Sequence, residues 1–233
     1  MALADRDASG IGSLADPVRR RPARTRIHTA GAVSREQAAV AIGIPLHQAK
    51  FHLDKLEGEG LLDIDYARLG GRTGPGAGRT SKLYRRAARD IAVSLPDREY
   101  QLAARLMADA IAESAASGTP VIDALHRVAH AHGRSLGDSA VTGSGLPAAA
   151  AAALALAAEI LGNHGYEPRR DDGRVVMANC PFHALARAQT DLVCRMNHAL
   201  IGGVTEALGP HHPMAELEPA PDRCCVVLRQ QDD

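Results

Sequence analysis

The chain has 233 residues, 45% hydrophobic and 23% charged, with a formal net charge of zero. This is an ordinary globular balance, with room for two compact domains. The longest apolar run, 146–158, falls well short of the roughly 20 residues that a membrane-spanning helix needs. Residues 1–17 lack the basic-then-apolar pattern of a secretory signal. The expectation is a cytoplasmic protein with no membrane partner and with its four cysteines reduced.

Charge is unevenly spread. Between Pro17 and Asp90 there are fifteen Lys and Arg against seven Asp and Glu, and the remainder is acidic by the same margin. A basic front half joined to an acidic back half implies that one part meets a polyanion and the other does not. Aromatic residues make up 3% and Trp is absent, so the cores rest on Ala, Leu, Val and Ile.

In chain order, the small polar segment 1–16 is expected to be disordered. A first helix is placed at 17–29, although Pro22 falls inside it. Ser34 and Gln37 form a capping-box pattern that predicts a helix to Ala41 or Ile42, ended by Gly43. A second helix runs from Pro45 to Glu59. Its residues Leu46, Ala49, Leu53 and Leu56 repeat at spacings of three and four and should face the protein. Leu61–Leu69 and Lys82–Arg86 read as strands of a hairpin around the Gly-rich turn 70–78.

Beyond the hairpin, Ala87–Ala116 reads as helix, kinked or restarted near Pro96, and Pro120–Leu136 as another. Gly137–Pro147 reads as a flexible connection. An Ala-rich helix ends at Gly162-Asn163. Tyr166–Ala178 reads as a hairpin turning at 171–173. Pro181–Leu208 reads as helix with a break near Gln189-Thr190, and Ala215–Leu217 and Cys224–Leu228 as short strands. The expected fold class is α+β. It comprises an N-terminal winged helix-turn-helix DNA-binding domain (17–90), a helical linker and dimerisation region (91–145) and a C-terminal α/β sensor domain (146–233).

In a winged helix the second helix enters the major groove by its N-terminal end. His47, Gln48, Lys50 and Phe51 then form its exposed front, where Gln reads adenine and Lys reads guanine or holds phosphate. Between residues 68 and 89 there are Arg68, Arg72, Arg79, Lys82, Arg85, Arg86 and Arg89 and no acidic residue. Arg72, Arg79 and Lys82 are the candidate phosphate contacts of the wing. The competing reading is a solvated basic loop.

All four cysteines lie between residues 180 and 225. No C-x-x-C knuckle is present, which argues against a zinc finger or ribbon. Cys180 precedes Pro181 at a helix start, where free N–H groups favour a thiolate. Cys194 falls early in the next helical stretch, if Thr190 caps it. Cys224 and Cys225 are neighbours on an expected strand and should point to opposite faces. One of them would then join Cys180 and Cys194, with His183, His198, a water or a small thiol as fourth ligand. The alternative is that the cysteines are small buried hydrophobes. His126 and His130 have metal-compatible spacing but read as surface residues, and His211-His212 as a solvated turn.

The stretches VSREQAAVAIGIPLHQAKFHLDKLEGEGLLDIDY and GRTGPGAGRTSKLYRR resemble the winged-helix regulators of the ArsR/DeoR-like group. Together with NCPFHALA, LVCRMNHALIGG and CCVVL, the chain looks like the actinobacterial branch of the SufR iron–sulfur regulators. That resemblance implies a homodimer on a palindromic double-stranded operator, with an iron–sulfur cluster (4Fe–4S in preference to 2Fe–2S). The ligands it implies are Cys180, Cys194 and one of Cys224 and Cys225. Loaded protein would repress the genes for iron–sulfur assembly, and loss or oxidation of the cluster would relieve repression. The other readings are a zinc- or thiol-based sensor without a cluster, a small-molecule effector pocket lined by the cysteines, and an enzyme using Cys180 as nucleophile with His183 as base. The basic hairpin, which an enzyme has no evident use for, argues against the last.

Overall fold

Helical and alternating segments resolve into an α+β structure with, among the described residues, two antiparallel sheets: a three-stranded one in residues 1–93 with its last strand in the middle, and a four-stranded one in residues 94–233 in the order first, second, fourth, third. The computed structural model describes residues 3–24, 31–67, 80–88, 92–171 and 173–231. The chain divides into two units at Val93/Ser94.

In the first unit, helices α1 (Leu3–Ser13) and α2 (Pro17–Arg24) precede strand β1 (Val33–Ser34). Helices α3 (Arg35–Ile42) and α4 (Leu46–Gly58) and the hairpin β2 (Leu62–Ala67) and β3 (Ser81–Arg86) follow. The segment expected to be disordered thus contains a helix. It is tied down by the Ser9 hydroxyl donating to Glu59 at 2.7 Å, by buried Ser13 and by Leu14 packing on the core. Asp16 caps α2 by accepting from the N–H of Val18 at 2.8 Å, with Pro17 in the first turn. The helix continues through Pro22 and ends at Arg24; the expected remainder, 25–29, lies outside the described residues.

The capping box is complete. The Gln37 N–H donates to Ser34 Oγ at 3.2 Å, and the Ser34 N–H donates to Gln37 Oε1 at 2.8 Å. Gly43, at φ 76°, closes α3 in a left-handed conformation that side chains disfavour. Ser34 also pairs with Leu83 across β1 and β3. Ala49, Leu53, Leu56, Leu62 and Tyr84 fill the centre of this unit. Leu46 does not join them. It is 45% exposed at the first turn of α4.

The second unit begins with α5 (Tyr100–Ser117), α6 (Val121–Ser144) and α7 (Ala150–Gly162). Strands β4 (Pro168–Asp171) and β5 (Arg174–Met177) form a hairpin. Helices α8 (His183–Ala188) and α9 (Thr190–Glu206) follow, then strands β6 (Met214–Leu217) and β7 (Val226–Arg229). Of the connection expected to be flexible, residues 137–144 are the last two turns of α6, and the helix expected from Ala87 begins at Tyr100. Helices α5 and α6, expected to be a separate linker, share one core with α7, α9 and the sheet. Helix α9 lies along α6, and glycines permit the close approach. A Cβ on Gly203 would stand 2.1 Å from the His130 carbonyl oxygen, and one on Gly133 would stand 1.9 Å from that of Leu200.

Candidate thiol pocket and nucleic-acid face

The exposed front of α4 carries His47, Gln48, Lys50 and Phe51, with Phe51 63% exposed. Lys50 reaches back to Asp54 at 3.5 Å. His52, on the same helix, is buried. Lys82, expected to hold phosphate, is instead drawn inward. Its ammonium lies 2.9 Å from Asp54, 3.8 Å from Glu57 and 5.0 Å from the centre of the Tyr84 ring. The Tyr84 hydroxyl donates to the same Asp54 oxygen at 2.7 Å. Against partial burial, the hydrogen bonds from Tyr84 and Lys82 hold the Asp54 carboxyl below its usual range. Arg85 pairs with Asp63 and Asp65 on β2. Arg72 and Arg79 lie outside the described residues, as do Arg68 and Arg89.

In the second unit, three segments deliver the four cysteines to one pocket of about 430 Å³, which His183 and Arg223 also line. Cys180 follows β5, Cys194 lies on α9, and Cys224 and Cys225 lead into β7. All four are free and buried. The expectation that one of the last two must face away fails, because strand β7 begins only at Val226. In the irregular lead-in, the Cys224 N–H donates to the Met177 carbonyl at 2.9 Å and the Glu218 N–H donates to that of Cys225 at 2.7 Å. The period-two alternation of a strand does not apply there.

The thiols bear on one another's protons, Cys224 on that of Cys180, and Cys225 on those of Cys224 and Cys194. Among the described residues no three His, Cys, Asp or Glu side chains converge on one point in the manner of a metal site. The expected Cys180 thiolate is not what the packing favours. The hydrogen bond with Cys224 and burial push the Cys180 thiol up, outweighing the N–H of Phe182. The helix that follows, α8, starts three residues later and has six residues. Cys224 is lowered by its bond from Cys180 but raised more by Cys225 and by burial, to about 11. Cys194 is raised mainly by burial. Thr190 does not cap α9; its hydroxyl donates back to the Ala186 carbonyl at 2.8 Å, and Gln189 marks the break between α8 and α9.

Of the histidines considered as ligands, His183 alone lines the pocket. His198 bonds to the Ala215 carbonyl at 2.9 Å, His130 to Glu206 at 2.9 Å and His212 to the Gly209 carbonyl at 3.0 Å.

Two features that sequence reasoning missed border the pocket. Tyr166 and Asn197 are buried beside Cys224, with the tyrosine hydroxyl donating to Asn197 Oδ1 and Asn197 Nδ2 donating to Cys224 Sγ at 3.3 Å. Asn197 could have been noted as lying three residues, about one helical turn, beyond Cys194; nothing pointed to Tyr166. Glu218, at the start of the 218–225 loop, accepts from Arg174, Arg223 and Arg229. Comparison with family models, with curated proteins and with solved structures finds no match.

Proposed function

We propose that this chain is a DNA-binding transcription regulator. Its first unit acts as a winged helix-turn-helix, with α3 and α4 as the helix pair and β2–β3 as the wing. Its second unit is a sensor that holds an iron–sulfur cluster through its cysteines. The observation that carries the reading is the gathering of four buried free thiols from three segments into one pocket. A set of soft sulfur donors with one imidazole suits iron–sulfur or zinc chemistry and not magnesium or calcium. Cys180, Cys194 and one of Cys224 and Cys225 are the holding residues, with His183 at the rim. A bound cluster, 4Fe–4S in preference to 2Fe–2S, would supply a redox-active, oxidant-labile centre.

On the DNA side, His47, Gln48, Lys50 and Phe51 of α4 would meet base edges and phosphates in the major groove of a palindromic operator, bound by a homodimer. Loading of the second unit changes the operator affinity of the first, a coupling of two sites that works in both directions. In the reading closest to the family resemblance, the loaded protein represses iron–sulfur assembly genes. The deciding measurement is iron and sulfide content after anaerobic purification, read beside operator affinity before and after stripping. Brown protein whose loss of iron changes DNA affinity supports the reading. A colourless protein with one zinc per chain replaces the cluster by zinc.

A second reading, a zinc- or thiol-based sensor on the same cysteines, rests on the same gathering of free thiols. Unchanged DNA affinity after both stripping and oxidation would sink both.

A further inference from the structure

Buried sulfur needs hydrogen-bond donors if it is to carry charge as a metal ligand, because burial removes the water that would otherwise solvate it. Cys224 is 1% exposed and has such a donor. Asn197, also 1% exposed, gives Nδ2 to Cys224 Sγ at 3.3 Å. Cys225 is 8% exposed, and the amide reaches Cys224 rather than it.

The Asn197 amide is itself held. The hydroxyl of buried Tyr166 donates to Oδ1, which leaves Nδ2 facing the sulfur. Asn197 lies three residues beyond Cys194 on α9, so one helix face carries both a thiol that lines the pocket and the amide that reaches Cys224. We propose that Asn197, oriented by Tyr166, is the positioning residue that selects Cys224 over Cys225 as the third sulfur ligand of the pocket and tunes the centre bound there. This rests on reading the pocket as a metal-holding site. An N–H donor to a ligand sulfur stabilises the more negative, reduced state, so its removal lowers the reduction potential.

The test uses the full chain. Removing Asn197 alone would leave the Tyr166 hydroxyl buried without a partner, whereas replacing both partners by apolar groups of similar shape is close to neutral for folding. The informative variant is therefore Asn197→Leu combined with Tyr166→Phe, beside Cys224→Ala and Cys225→Ala. Cobalt(II) titration of the metal-free protein, followed by sulfur-to-cobalt charge-transfer absorption, counts ligating thiolates without any cluster. Cys224→Ala should lose one thiolate's share of that absorption, and Cys225→Ala should retain the full signal. The double variant should bind cobalt about 10–100-fold more weakly, as expected for loss of an outer-shell partner. After reconstitution with iron and sulfide it should show a lower reduction potential. If Cys225→Ala loses the signal and Cys224→Ala does not, or if the double variant binds cobalt as the parent does, the assignment is overturned. If the cobalt pattern holds but no cluster assembles on the parent protein, the iron–sulfur reading falls and the role of Asn197 stands.

Discussion

Gly202 and Gly203 are consecutive residues of α9, and alanine should have opposite effects at the two. A Cβ on Gly202 meets nothing within 4 Å, whereas one on Gly203 would sit 2.1 Å from the carbonyl oxygen and 2.9 Å from the carbonyl carbon of His130. Ordinary contact is about 3.5 Å, so Gly203→Ala forces α6 and α9 apart by more than a rotamer change can absorb. Both neighbours are backbone atoms, which places the cost at the upper part of the about 1–3 kcal/mol typical of overpacking. About 1 kcal/mol of helix propensity offsets part of it. Gly202→Ala keeps that propensity gain and meets no clash, so it should stabilise by up to about 1 kcal/mol. At about 2–4 °C per kcal/mol for a chain of this size, the two melting temperatures should differ by several degrees, with Gly202→Ala above the parent and Gly203→Ala below. Thermal unfolding of the metal-free chain, followed by circular dichroism, reads this directly. Equal melting temperatures, or the reverse order, would refute the close α6–α9 contact. Because α9 also carries Cys194 and Asn197, Gly203→Ala should additionally weaken cobalt binding, and Gly202→Ala should not.

Three further outcomes are expected. Ser34→Ala removes the side-chain half of the capping box and should cost about 1 kcal/mol in urea unfolding of the first unit. Tyr84 is pushed up to about 12 by burial and then by its bond to Asp54. Its contribution is therefore complete below the unfolded phenol value of about 10 and is lost as pH rises through about 12; Tyr84→Phe should flatten that alkaline limb of the unfolding midpoint. Glu218, against its desolvation, is held below the usual carboxyl range by the hydrogen bond and charge of Arg174 and the charges of Arg223 and Arg229. Its stabilisation is present above the unfolded carboxyl value and lost as pH falls through the lower folded one, so Glu218→Gln should reduce the acid sensitivity of the second unit in the same assay.

Local signals were readable, and distant partners were not. Ser34, Gln37 and Gly43 predicted α3 because a capping box and a left-handed stop act within a few residues. Asp16-Pro17 carries the same kind of local signal for α2, and it outweighs the helix-breaking tendency of Pro22. Leu46 fitted the apolar spacing of α4, but spacing does not reveal whether a neighbour covers the first turn. Lys82 counted as basic surface in the sequence, yet Asp54, 28 residues earlier, neutralises it across the fold. The meeting of Cys180 with Cys224 depends on β5 pairing with β7, a long-range event with no local signature. The lead-in to β7 is irregular, so strand alternation does not set the orientations of Cys224 and Cys225.

Ser34 also has a mechanical consequence. It begins α3 and, one peptide away from the helix, is paired with Leu83 of the hairpin, leaving no slack between the two. A torque applied to the hairpin, for example by a duplex pressing on it, reaches the foot of α3 as a lever acts on its hinge pin. Spacer residues inserted at this joint would let the hairpin yield without turning the helices.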